Sequence, residues 1–450
     1  MVAKRLLPLL ALVAAACAST TAPTPLPRPA ATPPPASDLQ DFRKELEATY
    51  GQLVARDARP VDTAIVDLEA AVSLPIPEHP SVRSAVSLFS GSLKSNIQTY
   101  LSRSARYKQM IDGALATEGL PKALAYLPVI ESGYSSTLTS RAGARGIWQF
   151  MSDTAREYGL RVDWWVDERA DPERSTRAAA RYLKDLYREF DDWPLTLAAY
   201  NAGPGRVRRA LADTGASSFW ELSDRSALPK ETRGYVPTFY ATIVIASDPA
   251  TYGFRLSSPD ATEIRRLELE GPLSLKYLAQ VANLDEDVVR DLNPAFRRGV
   301  LPPGKSAVRL PAPAAALVAS RGPNLKNEDA EISVCSLTLR EGDSLKRIAR
   351  SIGTTVDLLL AMNGLASASR LGEGDSLYLP VRARELGAML QQQDIYYAVR
   401  KGDTLDSIAK SHNLTVDELR DLNDLSRHAR LHAGQSLLVT APRSLSAGGM

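Results

Sequence analysis

The feature that most constrains this chain is a gap-free internal repeat in its C-terminal third. Residues 339–365, LREGDSLKRIARSIGTTVDLLLAMNGL, align with residues 399–425, VRKGDTLDSIAKSHNLTVDELRDLNDL, 60 positions further on. Gly342 matches Gly402, Asp343 Asp403, Leu345 Leu405, Ile348 Ile408, Ala349 Ala409, Val356 Val416 and Asn363 Asn423. The match continues to Leu371/Leu431, Gly374/Gly434 and Leu377/Leu437. One apolar pattern written twice must build one small core twice. Each copy reads as a strand, a Gly-Asp-Ser/Thr turn, a helix, a short loop, a second helix ending at Asn, and a last strand. Asp343 and Asp403 stand where they can cap the helix that follows.

Shifted by 70 positions, Leu275, Leu278, Ala279, Leu292 and Asn293 fall on the same pattern. That segment has Pro272-Leu273-Ser274 in place of the turn and ends on VRLP at residues 308–311. The pattern resembles the LysM module, a βααβ fold that binds glycans containing N-acetylglucosamine. The resemblance implies modules at residues 332–381 and 394–441 and a degenerate one at 265–313. The alanine- and proline-rich residues 311–320 read as a linker.

The stretch that carries chemistry is residues 127–151, LPVIESGYSSTLTSRAGARGIWQFM. Glu131 ends an apolar run of Ala123, Leu124, Ala125, Tyr126, Leu127, Pro128, Val129 and Ile130. A carboxyl group in such surroundings loses hydration, its pKa should rise, and it would suit a general acid at neutral pH. Ser132, Ser135, Ser136 and Ser140 follow, then Gly143 and Gly146, whose missing side chains let backbone or ligand approach closely. Trp148, Gln149 and Phe150 offer aromatic surface beside an amide, a pairing suited to sugar rings. On residue chemistry alone, a buried helix glutamate with a structural partner explains Glu131 equally well.

The run ES, Ser140, GARGIWQFM, AAYNAGPGRV at residues 198–207 and ETRGYVPTF at residues 231–239 resembles the soluble-lytic-transglycosylase family. Its members carry a lysozyme-like domain that cleaves peptidoglycan. The flanking text GLPKALAYLPVIESGY, VDERADPERST and RYLKDLYREFDDWPLTLAAYNAG resembles a membrane-bound subgroup of that family. The expected fold class is therefore α+β multidomain: a mainly α-helical, lysozyme-like catalytic domain at residues 80–250, followed by small βααβ modules. The resemblance makes Glu131 the catalytic residue. It makes Ser140, Gly146, Gln149, Tyr200, Asn201 and Tyr235 substrate-binding or site-bracing residues, with Ser140 orienting Glu131 or touching the substrate and the Tyr235 hydroxyl near the Glu131 carboxyl. Glu231 reads as a partner for Arg233. The resemblance supplies one carboxylate, Glu131, where most glycosidases use two. One carboxylate suits a non-hydrolytic cleavage that leaves 1,6-anhydro-N-acetylmuramic acid ends. A hydrolytic muramidase on the same fold and a non-catalytic peptidoglycan-binding scaffold are the rivals.

Among the other acids, Asp167-Glu168-Arg169 reads as a structural salt-bridge cluster, and Trp164, Trp165 and Trp193 read as core. Helices are expected over residues 81–103, 107–118, 122–132, 152–158, 175–190, 194–201 and 206–212, with Ser175-Thr176 as an N-cap.

The N-terminus reads as an export signal. Lys4 and Arg5 precede the apolar residues 6–16, too few to cross a bilayer as a helix of ~20 residues. Ala15-Ala16-Cys17 resembles a lipobox, so residues 1–17 would be a lipoprotein signal with Cys17 acylated. Ala18 after the cysteine points to the periplasmic face of the outer membrane, a soluble periplasmic protein being the alternative. Residues 18–37, rich in Pro, Thr and Ala, should form an extended tether. Residues 38–79 read as a helical segment. The partners implied are peptidoglycan glycan strands and, through the lipid, a membrane.

Nucleic acid is an unsuitable partner, because the net charge is only +2 and no basic block is interleaved with aromatics. No cofactor is implied. The four histidines lack companions at metal-ligand spacing, so no metal site is assigned. Residues 299–306, GVLPPGKS, match the phosphate-loop pattern, but Pro302 and Pro303 lack the N–H groups that such a loop presents to phosphate.

Overall fold

The computed structural model describes residues 74–256, 262–321, 325, 334–339, 343–352, 354–367, 371–380, 396–412, 414–423, 425–426 and 429–439. Cys17, the signal, the tether and nearly all of the segment 38–79 lie outside the described residues.

Helices build the first unit. α1 (Pro80–Ser90) and α2 (Lys94–Glu118) come first, followed by a 3-10 turn (Lys122–Tyr126) and α3 (Leu127–Ser132). After a long loop come α4 (Ser152–Glu157) and a second 3-10 turn (Glu168–Ala170). α5 (Pro172–Phe190), α6 (Trp193–Ala202), α7 (Pro204–Thr214), α8 (Phe219–Asp224) and α9 (Lys230–Ser247) complete it. One apolar core runs through all of it, with Phe89, Trp148, Phe219, Phe239 and Tyr240 among its largest fully buried side chains.

Several expected boundaries move for identifiable reasons. The helix expected over 81–103 breaks at Gly91, and its second part runs on without interruption into the one expected over 107–118, which makes α1 and α2. Asp171, and not Ser175-Thr176, caps α5; its carboxylate accepts from the amides of Glu173 and Arg174, with Pro172 at the first helical position. The hydroxyls of Ser175 and Thr176 instead bond back to Asp171 O and Pro172 O. α9 has no place among the expected helices, because Gly234 and Pro237 inside it break the helical pattern. Its side chains from Gly234 to Ala246 are nonetheless all buried, and tertiary packing overrides the local preference.

The repeats form small two-stranded units. In the upstream copy, β1 (Ile264–Ser274) and β2 (Val300–Pro311) pair antiparallel and enclose α10 (Leu275–Ala282) and α11 (Glu286–Leu292). The phosphate-loop lookalike lies along β2 as strand from Val300 to Ser306. The expected linker after it is a helix, α12 (Ala312–Arg321), whose Ala314, Ala315 and Val318 are buried in the same core. A low-complexity run rich in alanine is a good helix former once an apolar face is offered to it. The second copy comprises β3 (Cys335–Thr338), α13 (Leu345–Ser351), α14 (Val356–Met362) and β4 (Ser376–Leu379). The third comprises β5 (Tyr396–Ala398), α15 (Leu405–Ser411), α16 (Val416–Leu422) and β6 (Ser436–Leu438).

One asparagine performs the same task in all three. Asn293, Asn363 and Asn423 each donate from Nδ2 to a carbonyl one turn back, on Val289, Leu359 and Leu419. Each also clasps one residue of the last strand from both sides: Arg309, Tyr378 and Leu438. The helix caps are Ser344 and Thr404, one residue after the expected Asp343 and Asp403. Asp343 pairs with Arg347, while Asp403 accepts from the Arg400 amide and the Tyr397 hydroxyl.

Candidate active site

α3 is one and a half turns long and wholly buried, so it cannot stand without its surroundings. Pro128 starts it, and Gly133, at φ +55°, ends it by returning its N–H to Val129 O. Glu131 is on this helix, 7% exposed. Ser132 beside it donates to Ile147 O at 2.9 Å, which ties the helix to the loop at residues 138–150.

α9 brings the nearest functional group. Tyr235 donates its hydroxyl to Glu131 Oε1 at 2.5 Å, in a buried setting. Within α9, Pro237 has no N–H to give. The Thr238 hydroxyl bonds Gly234 O and Tyr235 O, which stabilises the turn that carries the tyrosine.

Tyr200, on α6, donates to Trp148 O at 2.8 Å. Burial, and then the nearby Glu131 charge, push its phenol far above its ordinary value, so it remains a proton donor. Asn201 accepts from the Thr232 hydroxyl at 2.8 Å and donates to Glu231 Oε1 at 3.5 Å, which joins α6 to α9. Glu231 thus meets Asn201, while Arg233 donates to the Ser226 hydroxyl; the expected Glu231–Arg233 pair does not form.

The loop residues are engaged mainly with the loop itself. Ser140 Oγ accepts the Ala144 amide at 3.0 Å. Gly146 has φ +82°, and a Cβ there would lie 1.8 Å from Arg169 O. Gln149, at φ +49°, donates from Nε2 to Gly146 O at 2.8 Å and Leu138 O at 3.3 Å. Its buried Oε1 meets no hydrogen-bond partner among the described residues. Gly146 and Gln149 therefore hold the loop in shape.

The sugar-facing role expected of Trp148 and Phe150 is not what the structure gives them. Trp148 is fully buried and donates to the Thr176 hydroxyl at 2.8 Å; Phe150 is core as well. The exposed side chain of this segment is Met151. Trp165 is buried and Trp193 stacks on Tyr187.

Of the nearby acids Asp153, Glu157, Asp163, Asp167, Glu168 and Asp171, Glu157 is exposed at the end of α4, and the other five have structural partners. Asp153 pairs with Arg156, and Asp163 accepts the amides of Trp165 and Val166. Asp167 pairs with Arg169, Glu168 with Arg174, and Asp171 with Arg309. Arg169 was expected only as a member of a salt-bridge cluster. It also donates to Gly143 O at 2.7 Å and Phe150 O at 3.0 Å, and so supports the loop from behind. No short motif signals this role, because its partners are backbone carbonyls distant in sequence.

The matches to known families cover these same parts. Residues 109–223 match the Transglycosylase SLT domain. Residues 337–380 and 397–440 match the LysM domain, and residues 263–327 match the Lytic transglycosylase MltD, LysM-like domain. Over 117 residues the chain is 32% identical to the Soluble lytic murein transglycosylase of Escherichia coli K12, covering 25% of this chain and 18% of that one. Over 108 residues it is 35% identical to Peptidoglycan transglycosylase gp16 of Escherichia phage T7, covering 24% of this chain and 8% of that one. A much longer likeness is to Membrane-bound lytic murein transglycosylase D of Escherichia coli K12, at 31% identity over 380 residues, 81% of this chain and 82% of that protein. Since that likeness spans about four fifths of both chains, and the SLT and MltD-type LysM-like models match within this one, this chain belongs to the lytic murein transglycosylase D family.

Proposed function

We propose that this chain cleaves the β-1,4 bond between N-acetylmuramic acid and N-acetylglucosamine in peptidoglycan without water, and that Glu131 performs both proton transfers. The observation that carries this reading is the buried Glu131 carboxyl with the Tyr235 hydroxyl 2.5 Å from Oε1. The commitment of Asp153, Asp163, Asp167, Glu168 and Asp171 to structural partners supports it further.

Glu131 gives its proton to the glycosidic oxygen. The C1–O bond breaks, its electron pair leaves with the N-acetylglucosamine oxygen, and positive charge develops at C1. The Glu131 carboxylate then takes the proton from the muramic acid C6 hydroxyl, and O6 closes on C1. One group serves as acid and then as base, and an internal hydroxyl replaces water through proximity. The Tyr235 hydroxyl steadies the carboxylate between the two transfers. Tyr200 and Asn201 line the approach, and Ser140 stands ready to orient the sugar.

The LysM modules hold the glycan near this site. Acylation of Cys17, with residues 18–37 as tether, would hold the enzyme to the periplasmic face of the outer membrane. The relative named as membrane-bound supports an envelope location.

The test is mass spectrometry of the products released from purified sacculi. Products lighter by one water than their reducing-end counterparts establish the anhydro chemistry. Reducing ends would mean hydrolysis by a muramidase. No release, with sacculus binding intact, would mean a scaffold.

A further inference from the structure

A strap at residues 161–171 has the active-site loop on one side and the upstream LysM-like module on the other. On the loop side, Gly146 rests on Arg169 O, and Arg169 donates to Gly143 O and Phe150 O. Asp167 fixes the Arg169 fork, accepting at Oδ1 at 2.9 Å and at Oδ2 at 2.8 Å. On the module side the backbones are joined: Asp167 N donates to Ala295 O at 2.9 Å, and Arg297 N to Trp165 O at 3.1 Å. Arg297 also donates to Asp163 O, and Arg298 covers the Trp164 ring at 3.8 Å.

The strap ends at Asp171, the cap of α5, and there the module applies its strongest contact. Arg309 donates to Asp171 Oδ2 at 2.7 Å and Oδ1 at 2.9 Å, and to Glu173 Oε2 at 3.3 Å. The paired side chains are only 18% and 9% exposed. Arg309 is the residue whose backbone Asn293 clasps, so the guanidinium projects from the firmest point of the module. The next module docks by the same position. Its clasped residue, Tyr378, meets Trp165 edge-on at 6.2 Å, and Trp165 Nε1 donates to Met362 O.

We propose that Arg309 is a positioning residue for the reaction: by anchoring Asp171 it holds the strap against which the loop of Gly146 and Gln149 is set. The module it belongs to is then a working part of the catalytic unit as well as a tethered binder. This rests on the Glu131 reading given above. The physical reason is the cost of an unpaired buried carboxylate. Without the fork, Asp171 must admit water or turn away, and the strap shifts with it. A small displacement of an oriented site is enough to slow catalysis by an order of magnitude or more.

The test uses the full chain with Arg309→Ala and Arg309→Lys, assayed on a soluble peptidoglycan oligosaccharide for kcat and KM, and on sacculi for binding. The expected result for Arg309→Ala is a kcat lower by about tenfold, with KM and sacculus binding unchanged. Arg309→Lys, which keeps the charge and loses the fork, should recover only part of the rate. A wild-type kcat in Arg309→Ala overturns the proposal. So does a fall that appears in KM or sacculus binding alone, which would make Arg309 a substrate contact. If Arg309→Ala does not fold, Arg309→Lys decides: a wild-type kcat overturns the proposal. Glu131→Gln is run in parallel. If it stays active, the catalytic reading itself fails; if it is inactive while Arg309→Ala is unaffected, only the positioning role fails.

Discussion

The Tyr235 hydroxyl donates to Glu131 Oε1 at 2.5 Å although the two residues are 104 positions apart in the chain. This bond joins α3 to α9 at the one carboxyl group through which the proposed chemistry runs. Tyr235→Phe keeps the ring and removes the donor. The expected outcome is a kcat about 10²-fold lower with little change in KM, measured as anhydro-product release. Glu131→Gln should lose at least as much.

Gly146→Ala tests the contact between loop and strap. The new Cβ would meet Arg169 O at 1.8 Å on a backbone already at φ +82°. Neither strand of backbone can yield cheaply, so a loss of about 2–4 kcal/mol is expected, read from the urea unfolding midpoint. Activity should fall with it. An alanine variant of wild-type stability would mean that the strap is not held against the loop.

The asparagine clasps predict equal roles in unequal settings. Asn363→Ala and Asn423→Ala each remove the side-chain bonds to the amide and carbonyl of one last-strand residue and to one helix carbonyl. Each should destabilise its own module by about 1–3 kcal/mol and weaken sacculus binding. Asn363→Ala should in addition lower kcat, because Met362 and Tyr378 of that module touch Trp165 on the strap. Equal effects of the two variants on kcat would argue against that coupling.

Acid should release the Asp171 anchor. Burial alone lifts this carboxyl, but the Arg309 fork and charge, with the Arg174 amide, outweigh it and hold the pKa below its ordinary 3.8. A carboxyl lowered on folding contributes stability in full above its unfolded pKa and loses it as pH falls through the folded one. The loss therefore belongs below about pH 4. Glu173 and Arg266, paired with each other, face the same site. Arg309→Ala should move the acid midpoint, followed by tryptophan fluorescence, to higher pH.

The modules were legible in the sequence because their cores are local. Leu345, Ile348, Leu359 and Leu377 lie within one short stretch, and the copy 60 residues on repeats the pattern. Asn293 marked the degenerate copy for the same reason: it has one bonding task that no other side chain of its size and polarity performs as well. Helix ends were less legible. Asp171 outcompeted Ser175 for the cap because Pro172 pre-sets the first helical residue and because Asp171 is held by Arg309, which is 138 residues away.

By itself the sequence determined the order of the parts, the periodicity of each core and the identity of the one carboxyl group in an apolar run. These depend on residue type and short spacing, which a linear chain displays directly. Only the tertiary structure decided that Trp148 is core, that Gly146 and Gln149 brace the loop, and that Arg169 and Arg309 make contacts on opposite sides of one strap. Those roles depend on which carbonyl or carboxylate a side chain meets after the chain has closed on itself, and no local pattern records such a meeting.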